Sequence, residues 1–241
     1  MQRKAEQVQA QVDRDLAYFT LIADLTTLRH RCRFALGPGG ELAARYLDLP
    51  FAAVAFYGQG AGLRAALAQL LAEGEPCYVL LGETQRAHLR AAVRILSEDA
   101  EWQMVYRGEP GMLHTHGAVS LGAADFPAMC ALAERGGLHA FEGNALEKGP
   151  FAGVWADGRL VSMAGTHLQL DHAAEIGNVV TDPAYRRRGL ASVAVGAVIK
   201  KLCTYETVFL QVFKTNPGAV ACYEKLGFER LRTMYLVRFV L

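Results

Sequence analysis

Over residues 5–32 the apolar side chains Val8, Val12, Leu16, Phe19, Ile22, Ala23, Leu25 and Leu28 recur at three- and four-residue intervals. That is the spacing of an amphipathic helix, and it predicts one long helix at the start of the chain. The run Gly37-Pro38-Gly39-Gly40 breaks the pattern. Beyond it, compact apolar runs alternate with helical periodicity. They predict a strand over 51–57, a helix over 63–71, a strand over 77–81, a helix over 86–96 and a strand over 101–106. This alternation predicts an α/β protein.

Between Arg107 and Gly117 the chain is rich in breakers and has no periodicity. We place a linker there, over 111–117, between an N-terminal unit of residues 1–110 and a second unit of residues 118–241. The second unit opens with a strand near Val119 and a helix over 125–133 that Asp125 would cap. Strands over 151–155 and 160–166 are joined as a hairpin by Ala156-Asp157-Gly158. A strand over 174–181, a helix over 190–202, a strand over 208–213 and a helix over 217–226 follow, and strand-like runs near Phe228 and over 231–241 close the chain.

Composition narrows the class. The 241 residues are 52% hydrophobic and 20% charged, which excludes a disordered chain. Lys and Arg number 25 against 24 Asp and Glu, so no positive excess is available to neutralise a run of phosphates, and nucleic acid is not an expected partner. The five cysteines are spread without CxxC or zinc spacing and read as buried thiols in a reducing compartment. The polar opening has no secretory pattern, and no apolar run reaches the roughly 18 residues of a membrane span. A cytoplasmic protein with no membrane partner is expected. A homodimer stays open as the commonest soluble assembly.

Candidate chemistry concentrates in Glu175-Ile-Gly-Asn-Val-Val-Thr-Asp-Pro-Ala-Tyr-Arg-Arg-Arg-Gly-Leu-Ala191. It reads as strand, turn, arginine- and glycine-bearing loop and helix start. Such a helix start presents unpaired backbone N–H groups and a positive dipole end, a ready site for a phosphate or pyrophosphate. Gly189 admits close backbone approach, and Arg186, Arg187 and Arg188 add charged donors. The plainer reading is a solvated basic turn.

The run Arg186-x-x-Gly189-x-Ala191, between a Val-Val strand and a helix of small residues, resembles the cofactor loop of the GNAT superfamily of N-acetyltransferases. Asn216-Pro217, Tyr223 and Leu226-Gly227-Phe228 downstream match as well, and the resemblance covers about 118–241. It implies a mixed central sheet with splayed strands flanked by helices. The N-terminal α/β unit would then be a cap or a degenerate second copy of the same fold. It further implies acetyl-CoA as cosubstrate, no metal, and an amine acceptor, small molecule or peptide, attacking the thioester directly in a ternary complex.

By that resemblance the pyrophosphate would lie on the amides of Arg187, Arg188, Gly189, Leu190, Ala191 and Ser192, with Arg186 beside them. The pantetheine arm would pair with Val179, Val180 and Thr181. Asn216 and Tyr223 would sit near the thioester, with Tyr223 as proton donor to the departing thiolate and Glu175 as general base.

Each residue also has a plainer reading. An ammonium of pKa about 10 is neutral in roughly one molecule per thousand at pH 7, so a base would help. Yet Glu175 also fits as a charged strand start, Tyr223 as a core aromatic, and Asn216 as a helix cap before Pro217. Gly177-Asn178 interrupts its strand, which suggests a bulge or close backbone approach. His167 and His172 flank the turn before that strand and read either as pocket lining or as satisfied surface histidines. The exposed pair His114 and His116 has no Cys or carboxylate nearby that would make it a metal site.

Tyr57-Gly-Gln-Gly-Ala-Gly62, with Glu83 after the next strand, faintly suggests a dinucleotide turn, but Leu63 stands where the third glycine belongs. No nucleophile-elbow, zinc-protease or P-loop motif is present. An acetyltransferase is the leading reading. A non-catalytic acyl-CoA-binding sensor of the same fold is the alternative.

Overall fold

A computed structural model describes residues 1–138, 141 and 143–241. By packing, the chain divides into Met1–Glu101 together with Thr233–Leu241, and Trp102–Arg232. The segment expected as a linker lies inside the second of these units, where Pro110–Met112 form a 3-10 turn.

The first unit begins with α1 (Gln2–Val12) and α2 (Phe19–Leu25). The single long helix expected from periodicity is therefore broken. Asp15 turns its carboxylate onto the Ala17 N–H at 2.9 Å and starts a 3-10 turn, so a competing local hydrogen bond overrides the apolar spacing. Next come β1 (Cys32–Leu36) and β2 (Leu42–Tyr46), an antiparallel hairpin absent from the sequence reading. The Gly-Pro-Gly-Gly run is its turn rather than a simple break. Then follow β3 (Ala52–Tyr57), α3 (Gly60–Leu67), β4 (Cys77–Leu81) and α4 (Glu83–Arg90).

Strand β5 (Arg94–Tyr106) starts in this unit and is seven residues longer than the expected 101–106. The sheet order is β1-β2-β3-β4, with the end of the last strand, β11 (Phe228–Val240), antiparallel to β4. Phe56, Leu63, Leu67, Leu81, Leu89 and Phe239 fill its interior.

The second unit continues with β6 (Ala118–Leu121), α5 (Phe126–Gly136), β7 (Phe151–Ala156), β8 (Arg159–Gln169) and β9 (Ala173–Thr181). It closes with α6 (Leu190–Leu202), β10 (Thr207–Phe213) and α7 (Pro217–Leu226). The strand order is β5-β10-β9-β8-β7-β6; β6, β7, β8 and β9 pair antiparallel in turn, and β9 pairs parallel with β10.

Helix α6 buries Ala194, Val195, Val198, Ile199 and Leu202 against Ala174, Ile176, Leu210 and Val212 of the sheet. Each fully buried Val or Ile side chain contributes about 1.5–3 kcal/mol relative to exposure. Lys200 and Lys201 in its last turn suit the negative end of the helix dipole. Asn216 caps α7 with its Oδ1 accepting from Ala219 N–H at 3.1 Å, and Pro217 takes the first helical position.

The expected mixed sheet flanked by helices is present. The expectation of five buried thiols is corrected: only Cys77 is buried, Cys32 and Cys222 are half-buried, and Cys130 and Cys203 are exposed, because each of these two lies on the outward side of its helix or helix end. Among the described residues no helix is long and apolar enough to cross a membrane.

Candidate active site

Parallel pairing of β9 with β10 runs from Ala173/Thr207 to Ile176/Leu210 and stops there. Both strands continue, β9 to Thr181 and β10 to Phe213, so their carboxyl ends part beyond that point. The carboxyl ends of parallel strands are where open α/β sheets bind ligands. On its other side β9 stays attached to β8, but irregularly. Met163 pairs with Val180 and Gly165 with Gly177, leaving Asn178 and Val179 opposite Ala164. Asn178 has φ +52°, the left-handed turn of backbone that absorbs the extra residue.

After β9 the loop is fastened at several points. Asp182 is buried, accepts from Ala184 N–H at 3.1 Å, and pairs with Arg135 of α5 at 2.9 Å and Arg159 of β8 at 3.4 Å. The hydrogen bond from Arg135 leads in holding its carboxyl below the usual aspartate range. Tyr185 donates to Asp157 at 2.7 Å. Gly189, the residue before α6, has φ +78°, and a Cβ built on it would meet nothing within 4 Å. The glycine is required by backbone conformation, and the space in front of it is open.

Val193 N–H donates to the Gly189 carbonyl at 3.2 Å as α6 begins, so the amides of Leu190, Ala191 and Ser192 stand ahead of the hydrogen-bonded turns. Arg186 donates to the Thr181 carbonyl at 3.3 Å and Arg188 to the Ala184 carbonyl at 3.2 Å, which makes both braces of the loop. Arg187 has φ +64° and is exposed. The Ser192 hydroxyl lies 3.1 Å from the Cys222 thiol.

Tyr223 is buried in the core beneath α6, edge-on to Phe228 with ring centroids 5.9 Å apart. Burial pushes its phenol well above the ordinary value. It is thus a group that keeps its proton and offers a hydrogen bond. Asn216 performs its capping role, as described above. Glu175 is buried and its Oε2 lies 2.6 Å from Nδ1 of His167.

The register explains that contact. Thr166 pairs with Ile176 and Leu168 with Glu175, so His167 is an extra residue on β8, and the bulge turns its ring toward the carboxylate. A side chain at Gly177 would stand 2.6 Å from the His167 Cβ, so only glycine lets the bulge close. Gln211 of β10 lies on the same face as Phe209, whose register partner is Glu175. Its Oε1 and Nε2 are both buried without a partner among the described residues.

The structure thus brings Glu175, Val179, Val180, Thr181 and the 186–192 loop to the parted strand ends. Sequence reasoning missed Asp182, Tyr185 and Gln211 and left His167 undecided. Only Asp182-Pro183, a cap followed by proline, carried a local signal.

The first unit contains the other glycine-rich turn, 57–62. There the carboxylate of Glu41 fills the space: a Cβ at Gly62 would lie 2.3 Å from both its oxygens, and Gly39 N–H donates to Oε2 at 3.0 Å. Glu83 is engaged by Arg86 at 3.2 Å. Nothing there offers the open turn and free carboxylate of a dinucleotide site. Among the described residues no three His, Cys, Asp or Glu side chains gather as metal ligands.

Comparison with known proteins agrees with this geometry. The acetyltransferase (GNAT) family profile matches residues 124–228. The ribosomal protein bS18-alanine N-acetyltransferase of Salmonella typhimurium is 34% identical over 118 residues, 45% of this chain and 78% of that protein. A crystal structure of a putative GNAT-family acetyltransferase from Novosphingobium aromaticivorans superposes with TM-score 0.68 at 29% identity, covering 82% of this chain and 88% of that one. A GCN5-related N-acetyltransferase-like protein from Streptococcus suis shares the fold across 99% of both chains, with TM-score 0.67 at 15% identity. The chain is an acyltransferase. It belongs to the GNAT family of acetyltransferases.

Proposed function

We propose that the protein transfers the acetyl group of acetyl-CoA to the free α-amino group of a peptide by direct attack in a ternary complex. The observation that carries this reading is the parting of β9 and β10 beyond Ile176 and Leu210, beside a helix start whose loop is open. The residues fit the cosubstrate. The amides of Arg187 to Ser192 would hold the pyrophosphate, and the free edge of Val179, Val180 and Thr181 would pair with the pantetheine arm. Acetyl-CoA supplies an acetyl group already activated as a thioester.

The chain's part is to position and to manage protons. Asp182, Tyr185, Arg186 and Arg188 keep the loop in its binding form. Tyr223, with its raised phenol, gives the departing sulfur a hydrogen bond rather than a free proton, since a thiol is acidic at about 8.5. Glu175 and the imidazole it holds receive the proton of the attacking amine.

Two observations support a peptide α-amine. The orphaned Gln211 amide offers one acceptor and two donors, which match a backbone amide. The bS18-alanine enzyme, whose name specifies alanine N-acetylation of a protein, is 34% identical over 118 residues. An α-amine of pKa about 8 is also neutral in roughly one molecule in ten at pH 7, against fewer than one in a thousand for a lysine.

The test is CoA-thiol release and product mass with paired peptides, one with a free N-terminus and one blocked there but carrying lysine. At least tenfold faster release with the free N-terminus is expected. Binding of acetyl-CoA without thiol release from any amine would leave a sensor instead, and preference for the lysine peptide would overturn the acceptor class alone.

A further inference from the structure

An aspartate beside a loop that is to hold a diphosphate is electrostatically out of place, since like charges repel. Its contacts explain why it stands there. Asp182 follows the last residue of β9, and its N–H donates to the Val161 carbonyl of β8 at 2.9 Å, so the sheet fixes its backbone. Both carboxylate oxygens are in use. Oδ1 accepts from the Ala184 N–H at 3.1 Å and starts the 3-10 turn Pro183–Tyr185, which leads the chain toward Gly189. Oδ2 accepts from Arg135 Nε at 2.9 Å and from Arg159 Nη2 at 3.4 Å.

Arg135 is itself shared, because its Nη2 donates to the Leu160 carbonyl at 3.1 Å. One carboxylate thus gathers the last turn of α5, the strand β8 and the start of the loop. Shape brings the same elements together: a Cβ at Gly136 would stand 2.0 Å from Val180 Cγ2, so only glycine lets α5 come this close to β9. Arg186 adds a long bond to the Gly136 carbonyl at 3.5 Å. Charge-assisted bonds are about twice as strong as neutral ones. Hydrogen bonds from loop amides to a ligand weaken steeply with misalignment, and a loop held in place beforehand loses less freedom on binding.

Resting on the acetyl-CoA reading above, we propose that Asp182 is the positioning residue of the 186–192 loop and that, through it, the chain favours acyl donors that carry a diphosphate over those that carry the pantetheine arm alone. The carboxylate touches no substrate; it acts through the amides whose place it sets. This assignment reverses the sign that charge alone would give. D182N removes a negative charge and releases two guanidinium groups beside the loop, which by charge alone would tighten binding of an anionic donor. If position governs, the same change weakens it.

The experiment compares wild type, D182N, D182E, R135Q and the D182N/R135Q pair in the full chain. Affinity for acetyl-CoA is read by calorimetry, and kcat and KM are measured with acetyl-CoA and with acetyl-pantetheine, which lacks the diphosphate. D182N is expected to bind acetyl-CoA about tenfold more weakly and to raise its KM by as much, with kcat at saturation and KM for acetyl-pantetheine within about twofold. D182E keeps the charge but displaces it by one methylene, and is expected to fall between D182N and wild type. R135Q is expected to weaken acetyl-CoA binding likewise, and the pair to bind no more weakly than the weaker single variant, because both changes open one clasp.

Unchanged or tighter acetyl-CoA binding by D182N would overturn the proposal. So would equal losses for acetyl-CoA and acetyl-pantetheine, the mark of general distortion, or additive losses in the pair. If D182N does not fold, the R135Q comparison of the two donors decides by the same criterion. The two readings fail separately: a wild type that binds acetyl-CoA and transfers nothing would overturn acetyl transfer while the calorimetry of D182N still decides the clasp, and a wild type that binds none would overturn both.

Discussion

Two turns in this molecule are built to one plan and filled differently. In the first unit β3 runs into 57–62 and α3, and in the second β9 runs into 186–192 and α6. Strands β1, β2, β3 and β4 repeat the directions of β7, β8, β9 and β10: antiparallel, antiparallel, parallel. Both parallel ladders are short, two pairs for β3–β4 and four for β9–β10. At the first turn the Glu41 carboxylate stands where an anion would go. At the second, the space before Gly189 is open and the loop is clamped from outside by Asp182 and Tyr185. A glycine-rich turn at a helix start is therefore not yet a site; what fills it decides.

The comparison can be attacked from inside the open unit. Ile199 of α6 is fully buried against the sheet, and Ile199→Ala is expected to cost about 2–5 kcal/mol by chemical denaturation. A loss under 1 kcal/mol would mean that α6 is not anchored as described. Next in size is Gly189→Val. A β-branched residue at φ +78° is strained, and its side chain would occupy the open space. Acetyl-CoA affinity by calorimetry should fall at least 30-fold, about 2 kcal/mol, and unchanged affinity would remove the loop from the site.

Asn216→Ala tests a residue with two readings. Loss of the cap is expected to cost about 1 kcal/mol of stability. If acetyl-CoA affinity also falls more than threefold in the folded variant, the side chain touches the cosubstrate as well.

The smallest effect belongs to the first unit. Arg90 and Arg86 hold the Glu98 carboxyl down to about 2, against about 4.3 in an unfolded chain. Since the folded value is depressed, its stabilisation is full above pH 4.3 and is lost as pH falls from there through about 2. Glu98→Gln should flatten this part of the acid-unfolding curve without touching acetyl-CoA binding, and a curve parallel to wild type would deny the pairing.

The two regions also differ in how far they could be read from the chain. The bounds of α6 and α7 coincide with the predicted 190–202 and 217–226 because Gly189, Asn216-Pro217 and Gly227 are local stop and start signals acting on their own helices. The first unit was read less well. Asp15 broke a periodic helix by a hydrogen bond that periodicity does not register, and the β1–β2 hairpin has five-residue strands of which β1 buries only Ala35.

Within the site, the loop and Glu175 were legible as residue types. The His167 bulge was not, since a bulge is a mismatch between two strands and has no signature in either alone. Gln211 was invisible for a similar reason: an unpaired amide is defined by what surrounds it.

The central contrast is most directly tested by titrating acetyl-CoA into the full-length protein and counting sites. One site per chain is predicted, abolished or weakened at least 30-fold by Gly189→Val and unchanged by Glu41→Ala. Two sites in the wild type, or a single site that survives Gly189→Val and is lost with Glu41→Ala, would contradict the account.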